Sequence, residues 1–328
     1  MPFPSTATPA SRLNRRVFLA QCTTGALALS AAPASLLAAA KGGPMIPLGM
    51  SLYGMKSLEI DVALRTCAEI GYDSVEWVCN AGWPTEPKNI GNSERKRLAA
   101  LIDSLGLRLH GMMENLSLLA PDDTLRSNLD RLKDAAELAQ ALAPKRMPVI
   151  ETTLGGKPGQ WKEVKATMAE RLNAWAEVGK SSKAVIAIKA HVGGALHTPE
   201  DAAWLVKQAN SPWIKLTYDF SHFELRGYKL SDSMAQMIGQ TRFIHIKDTN
   251  GGNAEKFQFI LPGDGKTDYV EYLTLLKSHG YRDPVTIEVS GQVWNKKEYD
   301  PIAAAKHCYA KLAPAFEKAG VRDMKKAG

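Results

Sequence analysis

Nine side chains able to do chemistry stand at or just beyond the ends of short apolar runs: Glu151, Lys189, His191, Asp219, His222, His245, Lys247, Asp248 and Glu288. Val149-Ile150-Glu151, Ala187-Ile188-Lys189 and Thr286-Ile287-Glu288 show the pattern plainly. A charge at the end of such a run costs free energy unless it is paired or bound to a metal. Carboxylates and an imidazole brought to one place would repel one another without a cation. Together they form a candidate oxygen-rich site for a divalent ion such as Mn²⁺, Mg²⁺ or Zn²⁺.

The elements that must position these groups alternate. Eight β-rich runs are expected at Pro47–Tyr53, Ser74–Val78, Arg108–Met113, Met147–Glu151, Ala184–His191, Trp213–Asp219, Arg242–Lys247 and Val285–Val289. Most are nearly continuous apolar stretches, which suits strands buried on both faces. Helical stretches lie between them: Leu125–Ala143 carries Leu125, Leu129, Leu132, Ala136 and Leu138 on one stripe, and Thr198-Pro199-Glu200-Asp201 reads as a helix cap with Pro at the first turn. Strict alternation implies parallel strands joined by right-handed crossovers. Eight units in one chain of this size predict an α/β fold, a single (β/α)8 TIM barrel, in which active groups come from the C-terminal ends of strands. An open doubly wound sheet would carry a Gly-rich loop after its first strand, and Tyr53-Gly54-Met55-Lys56 has no such form.

Four segments add a resemblance that covers almost the whole chain after Lys41. Asp219-Phe220-Ser221-His222 is similar to the D-x-x-H, and Phe243-Ile244-His245-Ile246-Lys247-Asp248 to the H-x-K-D, of the xylose-isomerase-like barrels of sugar isomerases and epimerases. Leu261-Pro262-Gly263-Asp264-Gly265 and Thr286-Ile287-Glu288-Val289 resemble that family's late loop and final strand. The resemblance implies that Asp219, His245 and Glu288 are metal ligands and that His222 faces the substrate. One position departs from it: the family commonly carries E-x-H at the end of strand five, where this chain has Lys189-Ala190-His191. A lysine cannot bind a metal while protonated. Glu151, at the end of the preceding strand, could supply the missing carboxylate, giving a ligand set of Glu151, Asp219, His245 and Glu288. The alternative is a structural ion pair between Lys189 and Glu151.

The chemistry implied is proton abstraction next to a carbonyl in a sugar or keto-sugar derivative. Glu288 is the first candidate for moving the proton. Lys189, if neutral, is a partner base, or, if charged, an electrophile to the enolate oxygen, and Glu151 is the third catalytic candidate. His191, His222, Lys247 and Trp77 are candidates for binding the sugar, with Trp83 and Trp294 as further stacking surfaces. Isomerisation, epimerisation and elimination of a 3-keto-glycoside share the first step, so a 3-keto-glycoside lyase or hydrolase is an alternative. So is a non-catalytic carbohydrate-binding barrel whose metal site has decayed at Lys189. A phosphodiesterase of the apurinic-endonuclease type needs more histidines, and Asp264-Gly265-Lys266 offers none. His110 reads as a satisfied core histidine, His279 and His307 as surface residues, and His197 as a helix-start or rim residue. The roles of Glu76 and Glu114 stay open at this point; either could hold a supporting hydrogen bond.

Residues 1–40 have the layout of a twin-arginine signal peptide: Arg15-Arg16-Val17-Phe18-Leu19, an apolar and small-residue run, then Ala38-Ala39-Ala40. Gly25, Ser30, Pro33 and Ser35 interrupt that run, which argues against a membrane span. The expected domains are therefore 1–40, the signal, and 41–328, the catalytic barrel, with the periplasm as destination. That address favours oxidised glycosides over phosphorylated intermediates as substrates. Loss of Arg12, Arg15 and Arg16 lowers the formal charge from +7 to +4. No basic stripe interleaved with aromatics appears, so a nucleic-acid partner is not expected. The expected partner is a small carbohydrate; the sequence leaves an oligomer open. Cys67, Cys79 and Cys308 lack metal or disulfide spacing and read as small buried hydrophobes.

Overall fold

The structure, a computed structural model, describes residues 45–323. The signal expected over 1–40 lies outside the described residues. Seven strands alternate with helices: β1 (Leu48–Ser51), β2 (Ser74–Val78), β3 (Arg108–Met113), β4 (Val149–Thr152), β5 (Ile186–Lys189), β6 (Ile214–Tyr218) and β7 (Thr241–Ile246). An antiparallel hairpin follows, β8 (Asp248–Asn253) and β9 (Lys256–Ile260), and then β10 (Val285–Ile287). Strands β1 to β7 and β10 are all parallel and close into one barrel, with β10 between β7 and β1. Closure removes the open sheet as an alternative and bears out the (β/α)8 reading. The hairpin is an addition that the sequence reading did not foresee.

The helices are α1 (Ile60–Ile70), α2 (Asn92–Ser104), α3 (Asp122–Leu142), α4 (Trp161–Ser182), α5 (Pro199–Ala209), α6 (Phe220–Glu224), α7 (Leu230–Met237), α8 (Tyr269–Ser278), α9 (Gly291–Trp294) and α10 (Pro301–Lys318). Helix α5 starts as its sequence dictates: the Thr198 hydroxyl accepts from the Asp201 N–H at 3.2 Å, and Pro199 occupies the first turn, where no intrahelical N–H is needed. Helix α3 buries Leu132, Ala136 and Leu138 of the expected stripe. Among the described residues, no helix is long and apolar enough to cross a membrane. Cys67, Cys79 and Cys308 are free and buried, as expected.

Alternation along each strand decides which groups reach the barrel interior, because successive side chains point to opposite faces. In β7, Thr241, Phe243 and His245 share one face and Ile244 and Ile246 the other. Phe243 packs with Val149 of β4 and Ala187 of β5 in a small core of its own. One step further along those strands come His245, Glu151 and Lys189. The apolar interior thus gives way to a charged layer within two residues. The outward-facing residues, among them Trp77, Ile150, Ile186 and Tyr218, join the large core between strands and helices.

Candidate active site

Lys189 is the hub of the charged layer. Its Nζ donates to Glu288 Oε2 at 2.6 Å, lies 2.7 Å from His245 Nδ1, and makes ionic contacts with Asp219 Oδ2 at 3.2 Å and Glu151 Oε1 at 3.7 Å. Burial disfavours its charge, but Glu288, Glu151 and Asp219 hold its pKa well above the usual lysine value. His245 Nδ1 lies between Lys189 Nζ at 2.7 Å and Glu288 Oε2 at 3.1 Å, and its Nε2–H donates to Glu76 Oε2 at 2.8 Å. Burial opposes charge on this ring, but Glu76 and Glu288 push its pKa up to about 9. The Ser51 hydroxyl donates to the same Glu76 oxygen. A second ammonium, Lys247, reaches Glu288 Oε2 at 2.9 Å and Asp219 Oδ2 at 3.1 Å. Both carboxylates are therefore claimed from two sides.

These contacts separate the acids into two kinds. For Glu288, burial opposes ionisation, yet Lys189, Lys247 and His245 hold its carboxyl well below the usual range. Asp219 is likewise held down, against burial, by Lys247, His222 and Lys189. Glu151 behaves oppositely. Burial pushes its pKa up to about 7 against the pull of Lys189, and neither of its oxygens has a hydrogen-bond partner. Glu151 and Lys189 both face a cavity of about 280 Å³, whose wall also includes Tyr53, Asn115, Thr153, His191 and Glu288. His191 Nδ1 accepts from the Gly193 N–H at 3.1 Å, which places the ring proton on Nε2. Burial and the neighbouring His222 and Lys247 keep this imidazole neutral.

Three expected sugar contacts are corrected. Trp77 lies in β2 one residue after Glu76; since Glu76 points into the barrel, Trp77 must point into the helix layer. There it is fully buried, donating its indole N–H to the Thr85 carbonyl at 2.8 Å. His222 and Lys247 are buried behind the cavity wall because the unforeseen hairpin covers them. Phe259 of β9 lies under the Lys247 ammonium at 4.8 Å and meets the His222 ring edge-on at 5.5 Å. The His222 ring accepts from the Val192 N–H through Nδ1 and turns Nε2 toward Asp219, 3.3 Å away.

Other residues take supporting roles. Glu76, left open by the sequence, accepts from His245 and Ser51. Glu114 pairs with Arg131 at 2.7 Å, and Arg131 also reaches Glu86 at 2.8 Å. Asp248 accepts from the Gly263 and Gly265 N–H groups at 2.7 and 3.2 Å, pinning the loop after the hairpin. His110 is buried and stacks on Phe243, with Nδ1 3.0 Å from Arg108. His279 is exposed, His307 is half-buried and pairs with Asp264 at 2.7 Å, and His197 binds the Gly194 carbonyl at 3.1 Å. Trp83 and Trp294 cluster with Tyr53, their ring centroids 5.2 to 5.8 Å apart. The sequence reading missed Tyr53 and Asn115 on the cavity wall. Tyr53 lies in a 3-10 turn, Leu52–Met55, that follows β1, where the alternation of the strand no longer applies.

Asp219, His245 and Glu288 each offer a donor atom, all within 4.8 Å of one another, and so do Glu76, Glu151 and His245. Buried groups of this kind could hold a metal ion. The point that Asp219, His245 and Glu288 surround is taken by the Lys189 nitrogen, which lies within 3.2 Å of a donor atom from each. With Lys189 in that place the donor set does not fit a divalent ion.

Comparisons with known proteins match this fold. Residues 64–312 fit the family model described as a xylose isomerase-like TIM barrel. The L-ribulose-5-phosphate 3-epimerase UlaE of Shigella flexneri serotype 5b is 23% identical over 287 residues, covering 84% of this chain and 97% of that protein. Among solved structures, the IOLI protein with a bound zinc atom superposes with a TM-score of 0.71 at 18% identity, over 85% of this chain and 100% of that one. The 3-keto-D-glucoside 4-epimerase YcjR of E. coli gives 0.66 at 15% identity, over 82% and 99%. The chain belongs to the xylose isomerase-like TIM barrel family.

Proposed function

We propose that this chain is a sugar isomerase or epimerase that moves a proton at the carbon next to a carbonyl of a sugar or keto-sugar. One observation carries the reading: an unpartnered buried carboxylate, Glu151, and a buried ammonium, Lys189, face the same sugar-sized cavity 3.7 Å apart. Enolisation needs those two functions. The Glu151 carboxylate takes the proton from carbon, the electron pair moves onto the carbonyl oxygen, and a Lys189 N–H stabilises the charge that develops there. Return of the proton from Glu151 to the adjacent carbon gives the isomer; protonation of the opposite face by water or a second acid, with Glu151 releasing its proton to solvent, gives the epimer. Glu288, bound by two ammonium groups, is a poorer base than Glu151. His191 Nε2–H and Asn115 are placed to hold sugar hydroxyls.

The named relatives support the substrate class: one acts on L-ribulose 5-phosphate and another on a 3-keto-D-glucoside. A second reading has Glu151, Asp219, His245 and Glu288 hold Mn²⁺, Mg²⁺ or Zn²⁺. The spacing of the Asp219, His245 and Glu288 donor atoms and the zinc in one structural neighbour favour it, while Glu151 groups instead with Glu76 and His245. Binding an ion there requires Lys189 to withdraw. Incubating the protein with a panel of ketoses and 3-keto-glucosides, with products separated by chromatography, tests the reaction. An epimer or isomer of one substrate is expected. Release of the aglycone from a 3-keto-glucoside would instead select the lyase, and binding without conversion would select the non-catalytic barrel.

A further inference from the structure

We propose that the ammonium of Lys189 serves as the site's own cation, seated at the point where Asp219, His245 and Glu288 would otherwise bind a divalent ion. The inference rests on the reading of this cavity as a proton-transfer site, but it concerns which cation the site uses.

The argument is one of geometry and charge. An ammonium has three N–H donors and no acceptor. The three nearest acceptors of Lys189 Nζ are Glu288 Oε2, His245 Nδ1 and Asp219 Oδ2, at 2.6, 2.7 and 3.2 Å. They come from three different strand ends and are the same three residues whose donor atoms cluster within 4.8 Å. The side chain that fills the gap comes from the strand end where a further ligand carboxylate would have stood. Substitution of a carboxylate by lysine therefore does two things at once: it removes a ligand and inserts a positive charge among those that remain.

Charge balance points the same way. Lys189 and Lys247 together match the charges of Asp219 and Glu288, and Lys247 contacts both of these acids at 2.9 to 3.1 Å. A divalent ion at the same point would lie beside two ammonium groups in a buried layer, where like charges are costly. His245 is held by Glu76 on its far side, which turns Nδ1 toward Lys189, 2.7 Å away. Lys189 also faces the cavity, so the same nitrogen can meet a substrate oxygen by exchanging the longest of these three contacts, to Asp219.

The test is metal binding by the full chain, read independently of turnover. Purified wild-type protein, Lys189→Glu and Lys189→Met are dialysed against chelator, checked for folding by circular dichroism, and titrated with Mn²⁺ and then Zn²⁺ by calorimetry. The wild type is expected to give no stoichiometric binding of either ion at the site. Lys189→Glu restores a carboxylate and is expected to bind one ion per chain, with the binding lost in the Lys189→Glu/His245→Ala double variant. Lys189→Met removes the charge without adding a ligand and is expected to bind more weakly than Lys189→Glu but more tightly than the wild type, by about tenfold or more, the usual scale for one ligand-shell change. One ion bound per wild-type chain and lost in His245→Ala would overturn the proposal. So would folded Lys189→Glu and Lys189→Met that bind no better than the wild type. Absence of turnover on every sugar, with the metal results as expected, would count against the reaction and leave this inference standing.

Discussion

Lys189 and Glu151 stand 3.7 Å apart on adjacent strands without a hydrogen bond between them, although both are buried. The lysine spends its short contacts on Glu288 and His245 instead, at 2.6 and 2.7 Å. Two consequences follow for the acids. Glu288 is neutralised in place, whereas Glu151 keeps both oxygens free at the cavity wall. The ion pair between Lys189 and Glu151, the alternative reading of these two residues, is present but long, and it leaves both Glu151 oxygens without a hydrogen bond.

Glu151→Gln should lower turnover by about a hundredfold or more, the usual scale for a positioned acid-base group. The carboxylate is the active form and its pKa lies at about 7, so kcat/KM should rise with pH through that region and the rise should vanish in the variant. Stability carries the opposite trend. The folded pKa is above the ordinary 4.5, so the folded state binds the proton more tightly. The associated stability is full below about pH 4.5 and is lost as pH rises through about 7. Urea unfolding across that range should show a shallower decline for Glu151→Gln than for the wild type. Identical slopes would mean that Glu151 does not titrate there.

Glu76 accepts from both His245 and Ser51 inside the barrel. Glu76→Ala would leave a buried imidazole N–H and a hydroxyl without partners, a cost of about 1–3 kcal/mol. It would also free the His245 ring to turn. Chemical denaturation should show the loss, and an imidazole nitrogen shift in the NMR spectrum should report the altered tautomer. An unchanged His245 signal would remove Glu76 from its positioning role.

At Gly111 an added Cβ would run into the Phe243 ring, in the tight interior below the charged layer. Gly111→Ala should therefore destabilise by about 1–3 kcal/mol through overpacking. Gly111→Ala combined with Phe243→Leu should recover part of that loss in denaturant unfolding. A single variant as stable as the wild type would show that the interior can yield.

The export reading yields its own expectation. Changing Arg15 and Arg16 to lysine should hold the precursor in the cytoplasm, as read by fractionation and immunoblotting. Normal periplasmic accumulation of that variant would remove the twin-arginine assignment.

The barrel was legible because most of its strands are apolar runs, and because strand and helix alternate except where the hairpin follows β7. The site was legible at Glu151, Lys189 and His191, which end such runs and do reach the cavity. Trp77 was misplaced because proximity to a strand end was allowed to override the parity set by Glu76. His222 and Lys247 were misplaced for a different reason. What hides them is Phe259, on a hairpin whose strand Asp248–Asn253 contains two glycines and little apolar pattern, so nothing local announced it. The hub position of Lys189 lay beyond sequence altogether, since it depends on the reach of one long side chain across the barrel.

Hydrogen exchange during turnover tests the central claim most directly. With the substrate identified, the reaction is run in D₂O and the product is examined by NMR and mass spectrometry. The account predicts one solvent deuterium on the carbon next to the carbonyl, and exchange at that carbon abolished in Glu151→Gln. Turnover in which the substrate hydrogen is retained on the sugar, at a rate unaffected by Glu151→Gln, would contradict it.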